Sequence, residues 1–230
     1  MRILCSVCAR GGSTTLKNKN IKILRGKPLI LHTLLTAKKT GIFDKIVVSS
    51  DSKKILKIAK KQTNLQIKRP LKLSSDKSPK LPAIKHALIN SEKYFKKKFD
   101  IVVDLDATSP LRRVEDIINA LKIFKKNKNS NLISVCPSNK NPYYNMIEKK
   151  GKEIKIVKKS NIDFYGRQEA PKVFDINASI YIWSRRSLLK NKKLINNKTG
   201  IYIMPKARST DIDDLEDFEL VKYFMKRGKI

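Results

Sequence analysis

The chain has 230 residues, 40% of them hydrophobic, enough for the core of one domain with no more than a small subdomain. Its 52 Lys and Arg against 20 Asp and Glu give a formal net charge of +32, but the excess is mainly Lys scattered over helix-like stretches rich in Asn and Ile. The charge therefore reads as solubility and nonspecific attraction to polyanions ahead of a dedicated nucleic-acid surface. No apolar run reaches the roughly 20 residues of a membrane span, residues 3–8 are too short for a secretory signal, and three cysteines make no disulfide framework, so the expected compartment is the cytoplasm.

Strand-like and helix-like runs alternate from the start. Residues 3–8 predict a strand in which Cys5 and Cys8 face opposite sides, as small buried hydrophobes and not as a redox or zinc pair. The segment Ala9-Arg10-Gly11-Gly12-Ser13-Thr14-Thr15-Leu16-Lys17-Asn18-Lys19-Asn20 follows directly. Its glycines let backbone N–H groups approach a ligand, and Arg10, Lys17 and Lys19 offset the charge of a triphosphate; a Gly-Gly-Ser turn edged by basic residues is also a common loop. Pro28 opens a helix that Gly41 closes. Residues 45–50 are a strand, and Ser52 caps a helix with Ile55, Leu56 and Ala59 on one face. Strands at 65–68, 100–105 and 131–136 then alternate with helices at 82–95 and 114–126. This period predicts an α/β fold with a mostly parallel sheet covered on both faces.

After Asn141-Pro142 the texture changes to short segments at 143–147 and 153–157 and a polar stretch to Pro171, which predicts an inserted arm at about 140–175. Strands at 179–183 and 201–204 and a helix at 215–226 follow.

Two acidic pairs carry potential chemistry. In Asp211-Ile212-Asp213, alternate side chains of an extended segment face one way, so both carboxylates reach one cation, and Mg²⁺ suits two carboxylates plus substrate phosphates. The competing use is capping of the last helix by Asp213 and Asp214. Asp104-Leu105-Asp106 ends a central strand, where open α/β sheets bind ligands, with turn formation before Thr108-Ser109-Pro110 as its competitor. His32 and His86 are given no chemistry, and Tyr181 and Trp183 read as packing residues.

Together these segments resemble the acylneuraminate cytidylyltransferase family over nearly the whole chain. The matching residues are Ala9-Arg10-Gly11-Gly12-Ser13 with Asn18-Lys19-Asn20, Arg25-Gly26-Lys27-Pro28-Leu29, Ser49-Ser50-Asp51-Ser52, and Arg69-Pro70 with Leu73 and Asp76. Thr108-Ser109-Pro110-Leu111-Arg112, Arg167-Gln168 with Asn177 and Ile180-Tyr181-Ile182, and Asp211-Ile212-Asp213 follow in order. The resemblance implies a Rossmann-like α/β domain of the nucleotide-diphosphosugar transferase type, with an arm that packs in a homodimer and reaches toward the neighbour's site. It also implies transfer of CMP from CTP to the anomeric hydroxyl of a nonulosonic acid, with no membrane insertion and no nucleic-acid partner.

By the same resemblance, Arg10, Gly11, Gly12, Ser13, Lys19, Asn20 and Arg69 serve the nucleotide, with Arg69 near the cytosine. Asp106, Arg167, Gln168 and Asn177 face the sugar acid; Asp211 and Asp213 hold Mg²⁺ and form the catalytic set with Arg10. The chain departs from the family pattern in having Thr14-Thr15 for Lys-Gly, Lys17 for Pro, and Asp106-Ala107 for Gln-Pro. Asp106 sits poorly beside a sugar carboxylate through like-charge repulsion, which keeps open a Kdo-like acid or a sugar phosphate as acceptor. The +32 charge keeps open a nonenzymatic polyanion binder. No general base is identified from the sequence.

Overall fold

The computed structural model describes residues 1–75, 78–162, 164–166 and 168–228. In chain order the elements are β1 (Ile3–Cys8), β2 (Ile23–Leu24), β3 (Lys27–Pro28), α1 (Leu29–Lys39), β4 (Lys45–Ser50), α2 (Lys53–Ala59) and β5 (Leu65–Lys68). Next come α3 (Lys80–Phe95), β6 (Ile101–Leu105), α4 (Val114–Lys126), β7 (Asn131–Pro137), β8 (Ile147–Lys150) and β9 (Glu153–Ile156). β10 (Phe174–Ser184), α5 (Arg185–Lys190), β11 (Thr199–Ile203) and α6 (Leu215–Arg227) complete the chain.

Seven strands form one sheet in the order β11-β7-β10-β6-β1-β4-β5. β10 runs antiparallel to both neighbours, and the other pairings are parallel. The period-2 alternation of each strand divides the core in two. Cys5, Val7, Val103 and Ile182 pack with Ile30 and Leu34 of α1 and Ile117 and Leu121 of α4. Leu4, Val102 and Trp183 pack on the other face with Ile84 and Leu88 of α3 and Leu188 of α5. Cys5 and Cys8 fall on opposite faces, as their spacing requires. The mostly parallel sheet covered on both faces is therefore present.

Local signals account for most boundaries. Ser52 caps α2 by accepting from the Ile55 N–H at 3.4 Å, and Gly41 takes a φ of +66° just after α1, the left-handed conformation that glycine adopts without strain. α3 starts at Lys80, two residues before the expected start, because Pro82 occupies a first-turn position whose N–H has no intrahelical partner in any case. β10 starts at Phe174 and not near Ser179. Phe174–Ile176 pair with β7, and the register then shifts before Tyr181 through Ala178 at φ +52°; the resulting bulge hides the first half of the strand from an alternation pattern. Residues 147–156 form a separate antiparallel hairpin, β8 with β9, tied at its base by Val157 N–H to Met146 O (3.0 Å) and Lys158 N–H to Pro142 O (2.9 Å).

One buried carboxylate fixes the segment between β11 and α6. Asp116 is fully buried. It accepts from both arms of the Arg208 guanidinium (2.8 and 3.0 Å), from the Tyr202 hydroxyl (3.0 Å) and from the Arg113 N–H (2.9 Å). Removing one partner of a buried pair leaves the other charge uncompensated. Asp116→Ala is thus expected to lower the unfolding free energy by about 3 kcal/mol, measured by urea denaturation.

Candidate active site

The parallel strands β1, β4, β5 and β6 end at one edge of the sheet, so the segments that follow them meet there. The first is the glycine loop. Ala9 N–H bonds Ser49 O (3.0 Å) and Gly11 N–H bonds the Asp51 carboxylate (2.9 Å). A Cβ on Gly11 would stand 2.8 Å from the Ser52 Cβ, whereas one on Gly12 would meet nothing within 4 Å. Gly11 is therefore required by close packing on the β4–α2 turn, and its N–H is spent on Asp51 and not turned toward a ligand as the sequence suggested. Asn20 closes the loop by donating to Arg10 O at 2.9 Å, while its own buried Oδ1 has no partner.

The loop is also stapled to the acidic pair. Leu16 packs with Leu24, Leu111, Phe218 and the fully buried Ile212. Thr15 donates to Asp213 O at 2.5 Å, and the Lys19 ammonium lies 2.9 Å from the Asp213 carboxylate. Thr15, one of the departures from the family pattern, thus holds the loop against residue 213. Capping of α6 falls to Asp214, which accepts from Asp217 N–H at 2.9 Å while the Asp217 carboxylate takes the N–H of Asp213 and Asp214. The side chain of Asp213 is left 73% exposed, so the helix start does not consume it.

The cleft between these segments has a volume of about 230 Å³. Arg10, Lys19, Asn20, Arg69, Asp106, Asp211 and Asp213 line it, together with Cys8, Lys80 and Thr108. Arg69 is buried, bonding Ser74 Oγ through Nε (3.0 Å) with its terminal nitrogen 3.9 Å from Asp51. A wider groove of about 800 Å³ lies at the amino ends of the strands, lined by Asp100, Lys125, Lys128, Arg186, Lys190 and Lys198 among others. Ligands of open α/β sheets bind beyond the carboxyl ends, and there the acidic pairs converge.

Lys80, which the sequence reading did not single out, sits at the centre of the cleft's charge. Its ammonium is 2.6 Å from Asp106, 3.2 Å from Asp104 and 4.5 Å from the centre of the Tyr181 ring. Burial works against its charge, but Asp106 and Asp104 outweigh burial and raise its pKa above the ordinary lysine value. Burial likewise opposes ionisation of Asp106, yet Lys80 and the Thr108 hydroxyl and N–H bring it down to about 2. Asp211 lacks such a cation. Burial first, then the charge of Asp106, raises its pKa to about 6, and its buried Oδ1 has no partner. No sequence signal marked Lys80, because the helix was expected to begin at Pro82 and lysine is common along the chain.

The residues expected on the sugar side are not all brought here. Gln168 lines a different groove, of about 460 Å³, with Pro137, Asn141 and Phe174 at the base of the 140–175 segment. Asn177 is buried: its Oδ1 accepts from Ser134 (2.6 Å) and its amide donates to Ser209 (2.9 Å) and to Met204 sulfur (3.3 Å). That amide pins the β10 bulge to residues 204–209 and does not face the cleft. Arg167 and Asp76 lie outside the described residues.

A mostly parallel sheet whose carboxyl edge gathers basic side chains and paired carboxylates has the layout of a nucleotide-handling enzyme. Residues 4–228 match the cytidylyltransferase family. The chain is 43% identical over 229 residues to the post-translational flagellin modification protein B of Campylobacter coli, spanning 99% of this chain and 97% of that protein. It is 41% identical over 224 residues to the CMP-N,N'-diacetyllegionaminic acid synthase of Campylobacter jejuni, spanning 97% and 94%. Among solved structures, a CMP:2-keto-3-deoxy-manno-octonic acid synthetase complexed with CTP superposes with a TM-score of 0.72 over 99% of this chain and 100% of that one. Its 15% identity makes this a likeness of fold. The chain belongs to the cytidylyltransferase family.

The two glycines should respond differently to a methyl group. Gly11→Ala is expected to cost about 1–3 kcal/mol through overpacking against Ser52, and Gly12→Ala to stay within about 0.5 kcal/mol, both read from urea unfolding.

The raised Asp211 pKa also fixes a sign. From the ordinary 3.8 to about 6, the folded chain holds a proton that the unfolded chain has lost, so this group's contribution makes stability fall as pH rises through that window. Asp211→Asn, compared with wild type in the presence of chelator, should be more stable at pH 7 by on the order of 1–2 kcal/mol, with the difference vanishing near pH 4.

Proposed function

We propose that the protein transfers CMP from CTP to the anomeric hydroxyl of a nonulosonic acid and releases pyrophosphate, as a homodimer working in the cytoplasm. The observation that carries this reading is the convergence of Arg10, Lys19 and Arg69 with Asp211 and Asp213 on one cleft. The relatives supply the acceptor class, and N,N'-diacetyllegionaminic acid is the first acid to test. Two features support the remainder. Ile147, Ile154, Ile201 and Ile203 on the hairpin and the edge strand β11 are exposed, an apolar surface that a second copy would cover. No helix among the described residues is long and apolar enough to cross a membrane.

A divalent cation fits the acidic pair. Asp211 offers a buried carboxylate oxygen without a partner, and Asp213 an exposed carboxylate. No group of three or more His, Cys, Asp or Glu that could hold a metal occurs among the described residues. Two carboxylates suffice for Mg²⁺ when triphosphate oxygens and waters complete the shell. Bound there, Mg²⁺ would supply charge neutralisation on the phosphate oxygens.

The protein's own groups position and neutralise. Arg10 and Lys19 compensate charge that develops toward pyrophosphate, and Arg69, held by Ser74 and Asp51, presents a fixed guanidinium edge to the base. One P–O bond forms between the anomeric oxygen and the α-phosphorus, the bond to the pyrophosphate oxygen breaks in line, and the hydroxyl proton passes to solvent water.

The test is pyrophosphate release from CTP with Mg²⁺ across legionaminic, N-acetylneuraminic, pseudaminic and Kdo acids, with other nucleotides and sugar phosphates as controls. Release that requires both CTP and one nonulosonic acid is expected, and the Asp211→Ala/Asp213→Ala double variant should remain folded and lose turnover by at least about 1,000-fold. Turnover with a sugar phosphate and no keto acid, or salt-sensitive nucleic-acid binding without pyrophosphate release, would remove this function.

A further inference from the structure

Lys80 is a charged side chain of the cleft that the mechanism above does not use. It opens α3, where the positive end of the helix dipole disfavours a cation, yet its ammonium reaches inward to Asp106 at 2.6 Å and Asp104 at 3.2 Å, over the face of Tyr181. An ammonium carries three donors. Two are directed at these carboxylates, and 28% of the side chain stays open to the cleft shared with Arg69, Thr108 and Asp211.

Asp106 is equally committed, with one oxygen on Lys80 and the other accepting from Thr108 N–H (3.1 Å) and Oγ1 (2.7 Å). The two side chains form an ion pair that presents a donor beside an acceptor, which is what a carboxamide presents, while the fully buried Asp104 places a second negative charge beneath the same ammonium. At this position the family pattern has Gln. The repulsion expected between Asp106 and an acceptor carboxylate is reduced by the neighbouring cation, which Asp106 holds at 2.6 Å.

We propose that Lys80 and Asp106 act as the acceptor-recognition pair of this enzyme: Lys80 donates to a carboxylate or hydroxyl oxygen of the sugar acid, and Asp106 is the positioning residue that holds the ammonium there. This rests on the cytidylyl-transfer reading. Asp104, bonded to Ser6 at 2.6 Å and fully buried, anchors the ammonium from beneath.

The experiment compares wild type, Lys80→Met and Lys80→Met/Asp106→Gln by KM for the acid, KM for CTP, calorimetric binding of the acid and thermal unfolding. Loss of one charge-assisted hydrogen bond should raise the acid KM and Kd of Lys80→Met by roughly 10- to 100-fold. The CTP KM should stay within about threefold. The double variant, with a neutral amide restored, should recover most of that loss.

An unmoved acid KM in folded Lys80→Met, a parallel rise of both KM values, or a double variant as weak as the single would overturn the pairing. If Lys80→Met does not fold, the double variant decides alone, by an acid KM near wild type or far from it. A wild type that turns over no sugar acid overturns the pair and the functional reading together, whereas an active wild type with an unaffected Lys80→Met overturns the pair only.

Discussion

The geometry of the candidate site's edge depends on one buried guanidinium. Arg112, 3% exposed, donates to Ser179 O (2.7 Å) and Oγ (2.9 Å), Thr33 Oγ1 (2.9 Å) and Asp106 O (3.2 Å). These bonds join the end of β6 to α1 and to the antiparallel strand β10, three parts of the chain that no local signal brings together. Burial lowers the Arg112 pKa to about 10, while the surrounding carboxylates act the other way, so it stays charged at neutral pH. A planar fork with several fixed donors is suited to hold a helix, a strand and a strand end at once in a way that a lysine is not. With the backbone at Asp106 fixed, its carboxylate is aimed into the cleft at Lys80.

Around that anchor the cleft is electrostatically unfinished. Asp104, Asp106, Asp211 and Asp213 converge on a region where Lys80 and Lys19 are the cations in direct contact with them. Asp104 and Asp106 share Lys80, and Asp213 has Lys19. Asp211 has neither, and its burial without a cation is the kind of strain that a fold tolerates at a working site and avoids elsewhere. Asp116 is the contrast. It is more deeply buried than Asp211, but Arg208, Tyr202 and Arg113 satisfy it completely, so it is structural. Satisfaction of the lone pairs, more than burial, separates the two roles.

Much of the fold was legible in the sequence because its cues are local. The strands 3–8 and 45–50, the helix 114–126 and the Ser52 cap follow from apolar period and capping chemistry, and they stand where those cues put them. What was hidden depends on distant parts of the chain. The β10 bulge at Ala178 interrupts the alternation and turns Asn177 inward to Ser134 and Ser209, so an amide expected at a sugar became a brace. Gly11 was expected to admit a ligand and instead admits Ser52, a neighbour 41 positions away. Lys80 was missed because a lysine in a lysine-rich chain carries no signal until its partners, Asp104 and Asp106, are placed by the sheet. Arg10, Lys19, Asn20, Arg69, Asp211 and Asp213 were found together, since each follows a strand that ends at the same edge or is bonded to one that does.

The net charge of +32 acquires a meaning only beside this placement. A uniformly basic chain attracts a triphosphate from every direction and repels a divalent cation equally, which is a poor background for a metal-assisted reaction. At physiological salt, charges more than about 8 Å away are largely screened, so a cation entering the cleft experiences mainly its immediate neighbours. Asp211 and Asp213 therefore weigh most in the local sign, with the single charge of Lys80 shared between Asp104 and Asp106 and Lys19 drawn to one side of Asp213. In the proposed reaction the distant lysines would act on encounter with the nucleotide and the near carboxylates on the chemistry. The two effects can be tuned independently because solvent separates them.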